Sequence, residues 1–135
     1  MTYTIYCDGG SLGNNDKSKP SEAYGSFIIK PEIMEQRFMQ RFGDYTNNQA
    51  EYGAVIVALH YLKSACEVRK INYREQNVLI RTDSQLVIGQ LSKNWKVKSA
   101  NLLPLIAKAH EGMSCFKSVK FEHISGVEMK KILGH

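Results

Sequence analysis

Nowhere in the 135 residues does an apolar run approach the roughly 18 needed to span a membrane, so no transmembrane helix is expected. The opening MTYTIYCDGG has no basic segment followed by an apolar one, so no secretory leader is expected either. Cysteine is scarce: Cys7, Cys66 and Cys115 are scattered and form no Cys-x-x-Cys pair. That spacing argues against a disulfide framework or a thiolate zinc site and predicts small buried hydrophobes in a reducing, cytoplasmic setting. There is no internal repeat, low-complexity tract or interdomain linker, and the length suits one compact domain, 1–135. What remains is globular: 43% hydrophobic and 23% charged. Acids are outnumbered, 13 Asp and Glu against 18 Lys and Arg, for a net charge of +5. That balance suits a polyanionic partner without identifying one.

The segment TYTIYCD (2–8) alternates, with Tyr3, Ile5 and Cys7 to one side and Thr4, Tyr6 and Asp8 to the other, which predicts a strand. GGSLGNNDKSKPS (9–21) reads as a loop. AYGSFIIK (23–30) and IMEQRFMQRF (33–42) read as two further strands joined at a short Pro-Glu turn, completing an antiparallel meander. A helix follows, capped by Thr46 and ending near Cys66. NVLIRTD (77–83) is a short apolar strand of the parallel kind covered on both faces. SQLVIGQLSK (84–93) is a second helix, with Asp83 or Ser84 as its cap. LLPLIAKAHEGMS (102–114) is a third, capped by Asn101 because Pro104 is tolerated only in a first turn. KSVKFEHIS (117–125) is the last strand, and VEMKKILGH has room for about two helical turns. The order predicts an α/β fold: a mixed five-stranded sheet, three antiparallel strands and then parallel ones, flanked by helices.

Three carboxylates stand at element ends. Singly, each has a structural explanation: Asp8 as a turn initiator before Gly9-Gly10, Glu51 as an acid favoured in a first helical turn, Asp83 as a helix cap. Jointly they have another. Asp8 and Asp83 end two strands expected to lie side by side, and Glu51 projects from the helix between them. The three therefore converge at the carboxyl edge of the sheet, where open α/β sheets bind ligands. Like charges gathered there call for a divalent cation, and Mg²⁺, hard and oxygen-seeking, fits best.

With YCDGGSLGNN, TNNQAEYGAVIVAL and IRTDSQLVIGQL in this order and spacing, the chain resembles type-I ribonuclease H, of the wider retroviral-integrase-like nuclease superfamily, from residue 1 to about residue 125. The resemblance implies a ribonuclease H-like fold. It implies endonucleolytic cleavage of the RNA strand of an RNA–DNA hybrid, leaving a 5′-phosphate. Asp8, Glu51 and Asp83 would hold two Mg²⁺ ions with substrate, one activating water and the other stabilising the leaving 3′-oxygen, with Mn²⁺ as the alternative metal. It also implies hybrid contacts: Gly9, Gly10, Gly13 and Asn14 in the first loop, Thr46, Asn47 and Asn48 at the helix start, and Ser84 and Gln85 after Asp83. Uncharged amides there suit 2′-hydroxyls and base edges. The lone Trp95, among Lys93, Lys96 and Lys98, is either a core residue or a sugar-and-phosphate shelf, with Lys96 beside it. Some family members carry a long basic insertion after this point; here the segment is short, which predicts a modest grip. Beyond the hybrid duplex, the expected picture is a monomer with no small-molecule cofactor, no membrane partner and no additional hybrid-binding domain ahead of the first strand.

The tail departs from the family. The family's R/G-x-x-x-N-x-x-A-D-x-L-A ending, whose Asp supplies a fourth acid, is not recognisable, and counting ten residues on from His123 reaches Leu133. Three readings compete. His135 or Glu128 replaces the missing ligand; three carboxylates suffice; or the C-terminus is truncated and the protein is a weakly active or non-catalytic nucleic-acid-binding module. If His135 is the ligand, residues 127–135 fold back as a helix with Val127 and Ile132 or Leu133 inward. His123 is either a strand-end histidine or a proton shuttle. His60 and His110 lie within helices and are read as structural. A related DNA nuclease would leave DGGSLGN and TNNQAE unexplained.

Overall fold

A computed structural model describes residues 2–12, 22–31, 37–43, 46–93 and 95–134. In chain order the elements are β1 (Thr2–Leu12), β2 (Glu22–Lys30), β3 (Arg37–Gly43), α1 (Asn47–Val68), β4 (Asn77–Thr82), α2 (Gln85–Ser92), α3 (Leu103–Met113), β5 (Ser118–His123) and α4 (Gly126–Leu133). The strands form one mixed sheet in the order β3-β2-β1-β4-β5. β1–β2 and β2–β3 pair antiparallel; β1–β4 and β4–β5 pair parallel. This is the α/β layering expected from the element order.

The alternation in β1 decides which face is buried. Tyr3, Ile5 and Cys7 sink into the core with Val78 and Ile80 of β4 and Phe27 and Ile29 of β2, beneath Tyr52, Val55, Leu59 and Leu62 of α1. α1 starts where expected. Thr46 Oγ1 accepts from the Gln49 amide at 3.2 Å, and Gln49 Oε1 accepts from the Thr46 amide at 2.9 Å, a reciprocal capping box. Burial pushes the Cys7 and Cys66 thiols up, which keeps them neutral and hydrophobe-like, as expected, whereas Cys115, also expected to be buried, is only half-buried.

Four expectations need correction. Gly9-Gly10-Ser11-Leu12 continues β1 rather than looping away, because β2 pairs with it as far as Leu12↔Glu22. Asn101 does not cap α3; a short 3₁₀ turn, Ala100–Leu102, leads into that helix, with Leu102 at the cap position and no side-chain cap bond. β4 is not covered on both faces: Val78, Ile80 and Thr82 are buried while Asn77, Leu79 and Arg81 are half-buried. The reverse face of the sheet carries a smaller layer built around α4. There Met129 and Leu133, not Val127, face inward, forming a cluster with Ile28 and Ile124, while Val127 is 66% exposed. Met129 and Leu133 are four apart and therefore share one helical face, from which Val127 is turned away. No helix among the described residues is long and apolar enough to cross a membrane.

Candidate metal centre

The register places the acids. The β1–β4 pairing ends at Tyr6↔Arg81, so Asp8 stands two residues past it, beside the chain leaving β4 at Asp83. Glu51 comes from above, as the fifth residue of α1; it lies beyond the first turn, which removes the helix-dipole explanation for it. Asp83 is likewise free of a capping duty: Ser84 is the cap of α2, its Oγ accepting from the Val87 amide at 3.2 Å. One oxygen from each of Asp8, Glu51 and Asp83 lies within 4.8 Å of the other two.

Gly9 makes that approach possible. A Cβ there would collide with the Ala50 carbonyl and stand 2.6 Å from the Glu51 nitrogen, so α1 rests directly on the β1 backbone. Expected as a substrate contact, Gly9 is buried instead, and its amide donates to the Glu51 carboxylate. Gly9→Ala is expected to push α1 outward, destabilising the fold by about 1–3 kcal/mol as over-packing does. It should also weaken Mn²⁺ binding, and thermal unfolding with calorimetric titration reads both. A variant with unchanged melting temperature and unchanged metal affinity would show that the contact is slack.

Electrostatically the cluster is strained without a counter-charge. Burial, and then the neighbouring Asp8 and Asp83 carboxylates, push Glu51 up to about 9, against the opposing Gly9 hydrogen bond. Asp83 Oδ1 is buried without a hydrogen-bond partner. Mg²⁺ gathers oxygens at about 2.1 Å in an octahedron, which sets neighbouring oxygens about 3 to 4 Å apart. Three hard donors, one of them orphaned, fit such an ion.

The remaining expected residues divide. Thr46, Asn47 and Asn48 are exposed at the start of α1, with the Thr46 hydroxyl engaged in its cap. Gly10 lies beneath the Tyr24 ring, which a Cβ would meet 2.7 Å from the hydroxyl. Gln85, Ile88, Lys93, Trp95 and His123 line a hollow of about 330 Å³ beside α2. His123 thus borders the hollow rather than joining the carboxylate cluster. Trp95 is neither core nor free-standing: at 47% exposed, its ring packs against Gly89, where no Cβ fits, and its amide donates to the Gly89 carbonyl at 3.0 Å. Lys96 is exposed next to it. Glu128 is exposed and outside the cluster, its amide bonded to the Ser125 cap at 3.1 Å. Gly13, Asn14 and His135 lie outside the described residues. Leu133, at the counted position of the fourth acid, is 4% exposed in the α4 cluster.

Two neighbours of the site were not anticipated from the sequence. Tyr24 pairs with Gly10 across β1–β2, and burial, with Asp8, Glu51 and Asp83 nearby, raises its phenol. Gly126, the first residue of α4, is so close that a Cβ would lie 3.2 Å from Asp83 Oδ2. Both placements depend on register and docking, for which no local sequence signal exists.

The RNase H family profile matches residues 1–135. Over 129 residues the chain is 34% identical to a bifunctional protein of Mycobacterium tuberculosis, an alignment covering 92% of this chain and 31% of that protein. It is 35% identical over 95 residues to a ribonuclease H of Vibrio vulnificus, covering 68% of this chain and 52% of that one. The chain thus spans less than a third of the first relative and about half of the second. Among solved structures, a ribonuclease H isolated from compost, crystallised with an RNA/DNA hybrid, superposes with a TM-score of 0.77 at 32% identity, over 96% of this chain and 89% of that one. With a family match along its whole length and ribonuclease H relatives in both sequence and structure, this chain belongs to the ribonuclease H family.

Proposed function

We propose that the chain hydrolyses the RNA strand of RNA–DNA hybrids with the help of divalent cations held by Asp8, Glu51 and Asp83. The observation that carries this reading is the convergence of those three carboxylates from β1, α1 and the end of β4. Water attacks phosphorus, the bond to the 3′-oxygen breaks, and the products are a 3′-hydroxyl and a 5′-phosphate. A bound Mg²⁺ or Mn²⁺ would supply water activation and charge neutralisation. The chain's own residues do the rest. Gly9 lets α1 sit low enough to bring Glu51 to the strand edge and donates to its carboxylate. Asn47, Asn48 and Gln85 stand exposed at the starts of α1 and α2, offering amide donors and acceptors to 2′-hydroxyls. Lys93 lines a hollow with Trp95, and the exposed Lys96 follows Trp95 in the chain, a combination suited to a phosphate and its sugar. With Leu133 buried and Glu128 exposed outside the cluster, three carboxylates are the donor set we assign among the described residues.

The test is direct. Labelled hybrid, duplex DNA and duplex RNA are incubated with the protein in Mg²⁺, in Mn²⁺ and in EDTA. Scission of the RNA strand of the hybrid, with 5′-phosphate ends and none in EDTA, is the expected result. Hybrid bound but uncut in either metal would favour a non-catalytic binding module, and cleavage of duplex DNA a DNA nuclease.

A further inference from the structure

Tyr52 and Gln90 form a buried polar pair outside the carboxylate cluster. The Tyr52 hydroxyl donates to Gln90 Oε1 at 2.5 Å, with the two residues 0% and 6% exposed. They are 38 residues apart in sequence and join the helix that carries Glu51 to the helix that follows Asp83. Tyr52 directly follows Glu51 on α1; Gln90 lies on α2, whose Ser84 cap directly follows Asp83.

A hydroxyl and an amide in a core are costly unless paired, and replacing both with apolar groups of similar shape is close to neutral for stability. What the polar pair adds over such a substitute is direction and length. Apolar packing tolerates small sliding of one helix along another, whereas one short hydrogen bond sets their relative position. That matters here because Asp8, Glu51 and Asp83 crowd within 4.8 Å, where all three can be ionised together only around a cation. The same helix also bears the Trp95 ring on Gly89, the neighbour of Gln90. Movement of α2 would shift that shelf along with Asp83.

We propose that Tyr52 and Gln90 are positioning residues that hold α1 and α2 in register, and thereby set the separation of Glu51 and Asp83 for metal binding. This rests on the metal-centre reading above.

The decisive variant is the double substitution Tyr52→Phe with Gln90→Leu, which removes the bond without leaving either partner orphaned. Its metal-free melting temperature is expected to stay within about 4 °C of wild type. Its affinity for Mn²⁺, titrated calorimetrically without nucleic acid, should fall about tenfold, as it does when supports behind metal ligands are lost. On hybrid, kcat should fall with KM nearly unchanged. Tyr52→Phe alone, which removes one oxygen, should show the same direction of change and serves if the double variant folds poorly. Undiminished Mn²⁺ affinity in a folded double variant would overturn the positioning role. A wild-type protein that binds Mn²⁺ but cuts no hybrid would overturn the nuclease reading alone and leave this one standing.

Discussion

Glu51→Gln is expected to lower metal-dependent cleavage of hybrid by about a thousandfold, and at the same time to make the metal-free protein more stable at alkaline pH. The first effect is the loss of a charged ligand. Metal ions contribute several kcal/mol to stabilising transition-state charge, and about 1.4 kcal/mol is a factor of ten. The second follows from the position of Glu51 between Asp8 and Asp83, where burial and like charge hold its carboxyl up at about 9. In the unfolded chain that carboxyl titrates at its ordinary value, 4.5. Between those limits the folded protein keeps a proton that the unfolded chain has lost. Folding stability is therefore highest at the acid end of the window and declines as pH rises through it, by up to about 1.4 kcal/mol per pH unit. Gln carries no titrating proton and mimics the neutral acid, so its melting temperature should pull ahead of wild type from pH 5 to pH 9. Metal binding expels the same proton, so Mn²⁺ affinity of the wild type should rise over that range. Scanning calorimetry in EDTA across the window, with cleavage assayed at saturating Mn²⁺, reads each effect. Parallel melting curves would mean that Glu51 is ionised in the metal-free fold, and near wild-type cleavage would remove it from the site.

Leu133→Asp places an acid at the counted position of the family's fourth carboxylate, yet it is expected to damage the protein. Leu133 is 4% exposed and packs with Ile28, Ile124 and Met129, with Tyr6 and Ile132 against them. The substitution empties an apolar site and leaves an unpaired carboxylate there, together costing about 3–5 kcal/mol. In a domain of this size that lowers the melting temperature by on the order of 10 °C. The small layer it belongs to is what keeps α4 on the sheet, and Gly126 at the head of α4 abuts Asp83. Hybrid cleavage should therefore fall along with stability. A variant that melts like wild type and cuts faster would show that the side chain reaches the carboxylates and that the fourth ligand had merely been missing.

The legible features of the sequence were those whose physics is local. Alternation across Tyr3, Ile5 and Cys7 marks a half-buried strand because side chains on a strand alternate sides whatever the partner. Thr46 and Gln49 cap α1 with bonds spanning three residues, needing nothing from the rest of the fold. The three acids were legible for a different reason: each sits in a motif, and a strand order that brings β1 beside β4 suffices to gather them.

The tertiary structure alone decided the rest. Gly9 and Gly10 look like the start of a turn, but β2 supplies hydrogen-bond partners and α1 occupies the space a side chain would have taken. Val127, Ile132 and Leu133 are equally plausible inward residues by composition; docking of α4 over Ile28 chose Met129 and Leu133. The protonation of Glu51, the Tyr24 ring over Gly10 and the bond between Tyr52 and Gln90 all join residues distant in the chain. Local sequence determines which face of an element is apolar and where the element begins. Distance, burial and field at a site depend on how elements dock, and those quantities set the charge state of the carboxylates.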